Sequence, residues 1–455
     1  MTLKSINPHD QSEVGELSVA TAGEIKAAVD KAKKASPSWK ETPITTRVGY
    51  IKKFKKLLSE NKQVIAKLVT KEMGKPLSQS LSDVDCELEF INYYINNGPK
   101  FLADETVHKS ATENFRIVYE PYGVCACIAP WNFPISMITS GVVPALIAGN
   151  TVVAKPSEYC SLSQKMVVDL LNQTGLPVNT LLLLIGNGTV GKMLLEEPID
   201  LVWFTGSTKV GQEIYAKCGQ KFIKSLLEMG GSSPAIVFAD ADLDNALENL
   251  YWSRFLNAGQ VCTAVKRLYV EKPIFDKFVK MFIDRLKAVK VGDPLIGGND
   301  IGPLVSTKQL EILNAQFEDA VSKGAKVEIG GPLGESQKGN YFNPTILTNI
   351  KNNMRILTEE VFGPILPIMP FKTNDEVIEA ANNSVYGLSA EIYTADLIKA
   401  EQVSKRLAVG SVAINTDNFF KPECPFGGYK KSGIGREYGE LGMKEFSQVK
   451  LIAVT

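Results

Sequence analysis

The chain has 455 residues, 44% apolar and 22% charged, enough for two or three globular domains and more than one simple core needs. Lys and Arg together number 50, as do Asp and Glu, so the basic excess of a polyanion binder is absent and nucleic acid is not an expected partner. Two histidines, His9 and His108, are too few for a multi-histidine metal centre.

The start, MTLKSINPHDQSEVGE, lacks an apolar signal core, and a cytoplasmic protein is expected. The first hundred residues read as helical. Thr21 to Glu24 is a capping-box pattern, followed by Ile25, Ala28, Val29 and Ala32 on one face. Val48, Ile51, Phe54 and Leu58 repeat that period in a second, lysine-rich helix. FRIVYEP at 115–121 and GVCACIA at 123–129 are strand-like and suggest a hairpin-like extension. Cys125 and Cys127 face one way along the second run and read as core thiols. The uncharged stretch 121–154 is long enough to span a bilayer, but four prolines and three glycines divide it into buried pieces, so no membrane is expected. Seven cysteines without a C-x-x-C pair suit a reducing compartment.

TVVA at 151–154, LLLLI at 181–185, LVWF at 201–204 and AIVF at 235–238 are short apolar strands with helical segments between them. That alternation predicts a parallel sheet covered on both faces. A second series follows, with RLYVE at 267–271, ILPIMPF at 365–371, AEIYT at 390–394 and GSVAIN at 410–415. Residues 323–343, rich in glycine, read as a loop excursion. VKLIAV at 449–454 reads as a strand that pairs with something, with another subunit as one option.

Two turns could receive a dinucleotide phosphate. Gly186-Asn-Gly188-Thr-Val-Gly191 matches G-x-G-x-x-G after a strand, but the acidic residue expected at the end of the next strand is missing. Phe204-Thr-Gly206-Ser207 leads a strand into a helix, with Ser207 at the helix N-terminus. The residues alone leave that choice open. Lys155-Pro-Ser-Glu158 lies at a strand's carboxyl end and could hold two ribose hydroxyls, or be a solvated turn. Cys262, in Asn257-Ala-Gly-Gln-Val-Cys262, has the surroundings least like a packed core, and a nucleophilic thiol needs access and a depressed pKa. Glu228 stands in an apolar run ending in Gly230 and Gly231, where a carboxyl has a raised pKa and can act as a base. Asn132, between Pro130-Trp131 and Phe133-Pro134, is a rigid amide of the kind an oxyanion needs.

Seven motifs in order, PWNFP at 130–134, KPSE at 155–158, FTGS at 204–207, LEMGG at 227–231, GQVC at 259–262, EEVFGP at 359–364 and PFGGYKKSGIGRE at 425–437, resemble the NAD(P)-dependent aldehyde dehydrogenase superfamily. The chain looks most like its short bacterial succinate-semialdehyde dehydrogenases. The resemblance implies an α/β fold of two Rossmann-like parallel-sheet domains and a β-strand oligomerisation arm. The cofactor domain would span 1–109 and 131–232, the catalytic domain 233–427, and the arm 110–130 and 428–455, in a homodimer or homotetramer. It implies Cys262 as nucleophile, Asn132 and the Cys262 N–H as oxyanion hole, and Glu228 as general base. Lys155, Ser157 and Glu158 would serve the adenosine ribose, Trp131, Gly206 and Ser207 the pyrophosphate region, and Glu360 with Phe362 the nicotinamide ribose. GNGTVG would then be a structural turn. The cofactor expected is NAD, with NADP as the other option. The substrate is a small aldehyde, with succinate semialdehyde foremost and apolar or broad-range aldehydes as the alternative. Ser140 and Leu256 stand where relatives with that activity place arginines, leaving Arg254 or Lys421 to clamp a carboxylate. Gly141 replaces a common lysine, which leaves a proton relay through Glu437 open. A CoA-acylating enzyme and a non-catalytic protein on the same fold are the rival readings.

Overall fold

The computed structural model describes residues 1–334 and 338–455. Its architecture is α/β, with two large, mostly parallel sheets. The first has six strands in the order Gly433–Ile434, Lys224–Glu228, Leu201–Thr205, Val124–Ile128, Thr151–Lys155 and Leu181–Leu183, antiparallel only at Gly433–Ile434. The central strand Val124–Ile128 is apolar and buried at every position, and its neighbours are mostly so, because helices cover both faces. Strand order reverses at Val124–Ile128, with later strands added first on one side and then on the other. Open sheets bind ligands at the carboxyl ends beside such a reversal.

The second sheet runs Lys326–Pro332, Phe342–Thr348, Ile365–Phe371, Val265–Glu271, Ser233–Val237, Ser389–Tyr393 and Ser411–Ile414. It is parallel except for the antiparallel edge strand Lys326–Pro332. The third sheet, Ser447–Val454, Asn114–Pro121 and Glu105–Lys109, is antiparallel.

The capping box at Thr21 forms as expected, with Thr21 accepting from the Glu24 N–H and Glu24 accepting from the Thr21 N–H. Val48, Ile51, Phe54 and Leu58 are the buried face of Ile44–Glu60. Cys125 and Cys127 are fully buried. A Cβ on Gly141 would lie 2.5 Å from Cys127 Sγ and 2.7 Å from the Trp203 ring, so the helix Ser136–Ala148 lies directly on the sheet.

Several expectations are corrected. Thr2–Ile6 and Glu13–Ser18 form an antiparallel pair ahead of the first helix, because TLKSI and EVGELS flank a tight turn in which Asn7 O accepts from the Gln11 N–H. FRIVYEP and GVCACIA do not pair with each other. The alternating first run joins the three-stranded sheet, and the wholly apolar second enters the six-stranded one. Residues 124–128 and 433–434 are strands of the six-stranded sheet. AIVF lies in the second sheet, and Lys224–Glu228 takes its place in the first. Within 323–343, Lys326–Pro332 is a strand; residues 335–337 lie outside the described residues. The closing strand pairs with Asn114–Pro121 of its own chain. Among the described residues, no helix is long and apolar enough to cross a membrane.

Candidate active site

A cavity of about 850 Å³ opens at the carboxyl ends of the six-stranded sheet, facing the amino end of Val265–Glu271. Trp131 and Asn132 enter it from the loop after Val124–Ile128, and Gly206 and Ser207 from the turn after Leu201–Thr205. Glu228 closes Lys224–Glu228, and Cys262 precedes Val265–Glu271. Glu360 and Phe362 complete the wall. Eight of the eleven residues singled out from the sequence thus share one cavity. Lys155, Ser157 and Glu158 do not line it and stand at the end of Thr151–Lys155.

The backbone before Cys262 is unusual. Asn257, Ala258 and Gly259 have φ of 53°, 53° and 74°, three left-handed residues in succession. Two are not glycine, a conformation that costs energy and clusters at functional sites. The third is required to be one: a Cβ on Gly259 would sit 2.7 Å from the Gly363 carbonyl oxygen. The turn is stapled by Asn257 Nδ2 donating to Asn132 O at 2.9 Å, and by Asn132 Nδ2 donating to Gln260 O at 3.1 Å. Nucleophile turn and amide loop therefore hold each other. Gln164 Nε2 fixes the other side of that loop through Pro130 O and Pro134 O. Gln260 O takes one hydrogen of the Asn132 amide and leaves the other for a ligand.

Cys262 is half-buried, and burial pushes its thiol up to about 12, opposed by the nearby Lys266 ammonium. The depressed pKa expected of a nucleophile is thus not met in this state, since desolvation outweighs the single cation. Glu228 is 2% exposed, and among the described residues neither carboxylate oxygen has a well-formed hydrogen bond, the nearby Gly428 backbone being a weak polar neighbour. Burial, then the Glu437 carboxylate, hold it well above the usual range. The C-terminal motif wraps it closely: a Cβ on Gly427 would lie 2.7 Å from Glu228 Oε1, and one on Gly433 3.2 Å from Oε2. Glu437 lies on the same cavity, raised by burial to about 8.

Gly230 and Gly231 permit the close approach read from the sequence. A Cβ on Gly230 would fall 2.1 Å from Glu360 Oε2, and the Gly231 N–H donates to Glu360 Oε1 at 3.0 Å. The Phe362 and Trp131 rings meet edge to face at 5.5 Å. Ser207 is the N-cap of Thr208–Lys221, with no side-chain bond to the helix. Its hydroxyl and the first-turn N–H groups suit an anion. Lys155 Nζ, buried, donates to Pro156 O at 2.7 Å and lies 3.9 Å from Glu158 Oε2. The Ser157 hydroxyl accepts from the Tyr159 N–H and so shapes that turn. Gly191 of the GNGTVG turn leaves room for the Lys155 stem, whose Cδ would lie 3.6 Å from a Cβ there.

The residues proposed to clamp a carboxylate are elsewhere. Arg254 is fully buried and donates to the Val361 and Gly363 carbonyls. Lys421 is exposed and does not line the cavity. Gly141 leaves no space for a larger side chain. Sequence reasoning passed over Lys266, four residues beyond Cys262; beside Arg267 at the start of VKRLYVE it carries no local mark of burial.

The aldehyde dehydrogenase family model matches residues 1–452. The succinate-semialdehyde dehydrogenase [NADP(+)] of Escherichia coli K12 is 35% identical over 98% of this chain and 93% of its own. Human retinal dehydrogenase 2 is 38% identical over 98% of this chain and 88% of its own. The structure of Staphylococcus aureus betaine aldehyde dehydrogenase in complex with NAD+ superposes with a TM-score of 0.95 at 33% identity, covering 100% of this chain and 91% of that one. The chain belongs to the aldehyde dehydrogenase family and is an NAD(P)-dependent aldehyde dehydrogenase.

Proposed function

We propose that this enzyme oxidises an uncharged, largely apolar aldehyde to its carboxylic acid, with Cys262 as nucleophile and Glu228 as base. The observation that carries the substrate reading is the lack of a cation on the cavity wall. Among the described residues no lysine or arginine lines it; of its acids, Asp83 is paired with Lys75 and Glu360 with Lys266, and burial holds Glu228 and Glu437 toward the neutral form. Phe133, Trp252, Phe419 and Phe420 supply aromatic walls. A second carboxylate on the substrate would be desolvated there with no cationic partner. Succinate semialdehyde is the second reading, favoured by the 35% identity to the E. coli enzyme.

The residues fit a dinucleotide. The open helix start at Ser207 suits its pyrophosphate, the Lys155–Glu158 pair a ribose diol, and the Gly230 cradle with Glu360 the second ribose. When bound, the nicotinamide accepts a hydride. Glu158 disfavours a 2′-phosphate, so NAD is preferred over NADP.

The Cys262 thiolate adds to the carbonyl, and the resulting oxyanion rests on Asn132 Nδ2 and the Cys262 N–H. After oxidation the acyl group remains on Cys262 as a thioester. Glu228 takes a proton from water, which attacks the thioester and releases the acid. Glu228 also argues against CoA as acyl acceptor, because a water-activating base would then serve no step. The exposed outer edge of Ser447–Val454, carrying Val449 and Leu451, supports association of two or more copies through the three-stranded sheet.

A panel of hexanal, benzaldehyde and succinate semialdehyde, each with NAD and NADP, tests the substrate reading. Higher kcat/KM for the uncharged aldehydes with NAD is expected. A clear preference for succinate semialdehyde would replace it with the second reading.

A further inference from the structure

Lys266 is the second residue of Val265–Glu271, and its side chain has no solvent exposure. Burying an ammonium costs several kcal/mol unless every hydrogen finds an acceptor. Here all three do. Lys266 Nζ donates to Cys262 O at 2.7 Å, to Val261 O at 3.0 Å and to Glu360 Oε1 at 3.1 Å.

The identity of those acceptors is informative. The Val261 carbonyl and the Cys262 N–H are the two ends of one planar, conjugated peptide unit. A cation bonded to the oxygen draws electron density through the amide and strengthens the N–H as a donor. That N–H is one of the two oxyanion donors in the reaction above. The Cys262 carbonyl, held by the same ammonium, fixes the other side of the nucleophile's backbone. The same charge also favours thiolate over thiol at Cys262, against burial and the carboxylates Glu360 and Glu228. Arg254, a second cation near Lys266, is turned instead to the Val361 and Gly363 carbonyls.

We propose that Lys266 is a positioning residue for the acylation half-reaction, its ammonium polarising the Val261–Cys262 peptide so that the Cys262 N–H binds the oxyanion more strongly and the sulfur ionises more readily. The proposal rests on Cys262 being the nucleophile.

Two readouts test it in full-length enzyme: the rate of the NADH burst, and the pH profile of Cys262 alkylation by iodoacetamide followed by peptide mass spectrometry. In Lys266→Met, which keeps the stem and drops the charge, the burst slows by about 10–10²-fold and the alkylation midpoint moves to higher pH. Lys266→Arg restores the midpoint toward wild type. Lys266→Gln replaces the methionine variant if that one does not fold. A folded neutral variant with either the burst rate or the alkylation profile unchanged overturns the proposal. Unchanged turnover in Cys262→Ala would instead overturn the nucleophile assignment, independently of Lys266.

Discussion

Glu228 is a carboxyl group without a well-formed hydrogen bond among the described residues, walled in by glycines and facing a second acid. Such a group is protonated until pH rises well past the ordinary carboxylate range, and only its ionised form can take a proton from water. Deacylation should therefore accelerate as pH rises through the Glu228 pKa. Glu228→Gln removes the base without touching acylation. Stopped-flow measurement should show a full burst of NADH, about one per active site, followed by steady turnover slowed about 10²–10⁴-fold. Absence of a burst would place Glu228 before the thioester. At this scale residue type and setting singled out Cys262 in a small polar turn and Glu228 in an apolar run, and the two line one cavity. It misled at Arg254, where a charge near the nucleophile suggested a clamp but the guanidinium is spent on backbone carbonyls. Lys266 was missed because a lysine at a strand start ordinarily reads as solvated, and only the three-dimensional contacts show it enclosed.

Elements were legible where local chemistry decides them. The Thr21 capping box and the mostly apolar strands of the six-stranded sheet needed no knowledge of their partners. Sheet membership was less accessible: FRIVYEP and GVCACIA are neighbours in sequence yet enter different sheets, and strand pairing over long separations leaves no local mark. The Asn257–Gly259 turn places three successive left-handed residues just before Cys262. Gly259→Ala adds a Cβ 2.7 Å from a backbone oxygen at φ of 74°, so it should lower the melting temperature and also weaken the burst. Thr21→Ala, far from the cavity, should cost about 1 kcal/mol of stability with kcat unchanged. Thermal unfolding and turnover measured together separate the two; equal behaviour of both variants would argue that the turn has no special role.

Across the whole molecule, burying acids ties stability to pH. Glu391, bonded to Ser253 Oγ and Tyr393 Oη, is raised by burial to about 7 from an ordinary value of 4.5. Between those values the folded state keeps a proton that the unfolded chain releases, so this contribution to stability is complete below about 4.5 and is lost as pH rises through 7. Relative to Glu391→Gln, wild type should lose stability between pH 5 and pH 8 in calorimetry; a constant difference would contradict the burial argument. The two-sheet architecture brings the amide loop, after a strand of the six-stranded sheet, and the nucleophile turn, before a strand of the seven-stranded one, onto one cavity. In the proposed mechanism one sulfur carries the acyl group until water activated by Glu228 removes it. Peptide mass spectrometry of Glu228→Gln quenched after mixing with aldehyde and NAD tests this directly. The account predicts an acyl adduct on Cys262 near full occupancy; an adduct on another cysteine, or none, would contradict it.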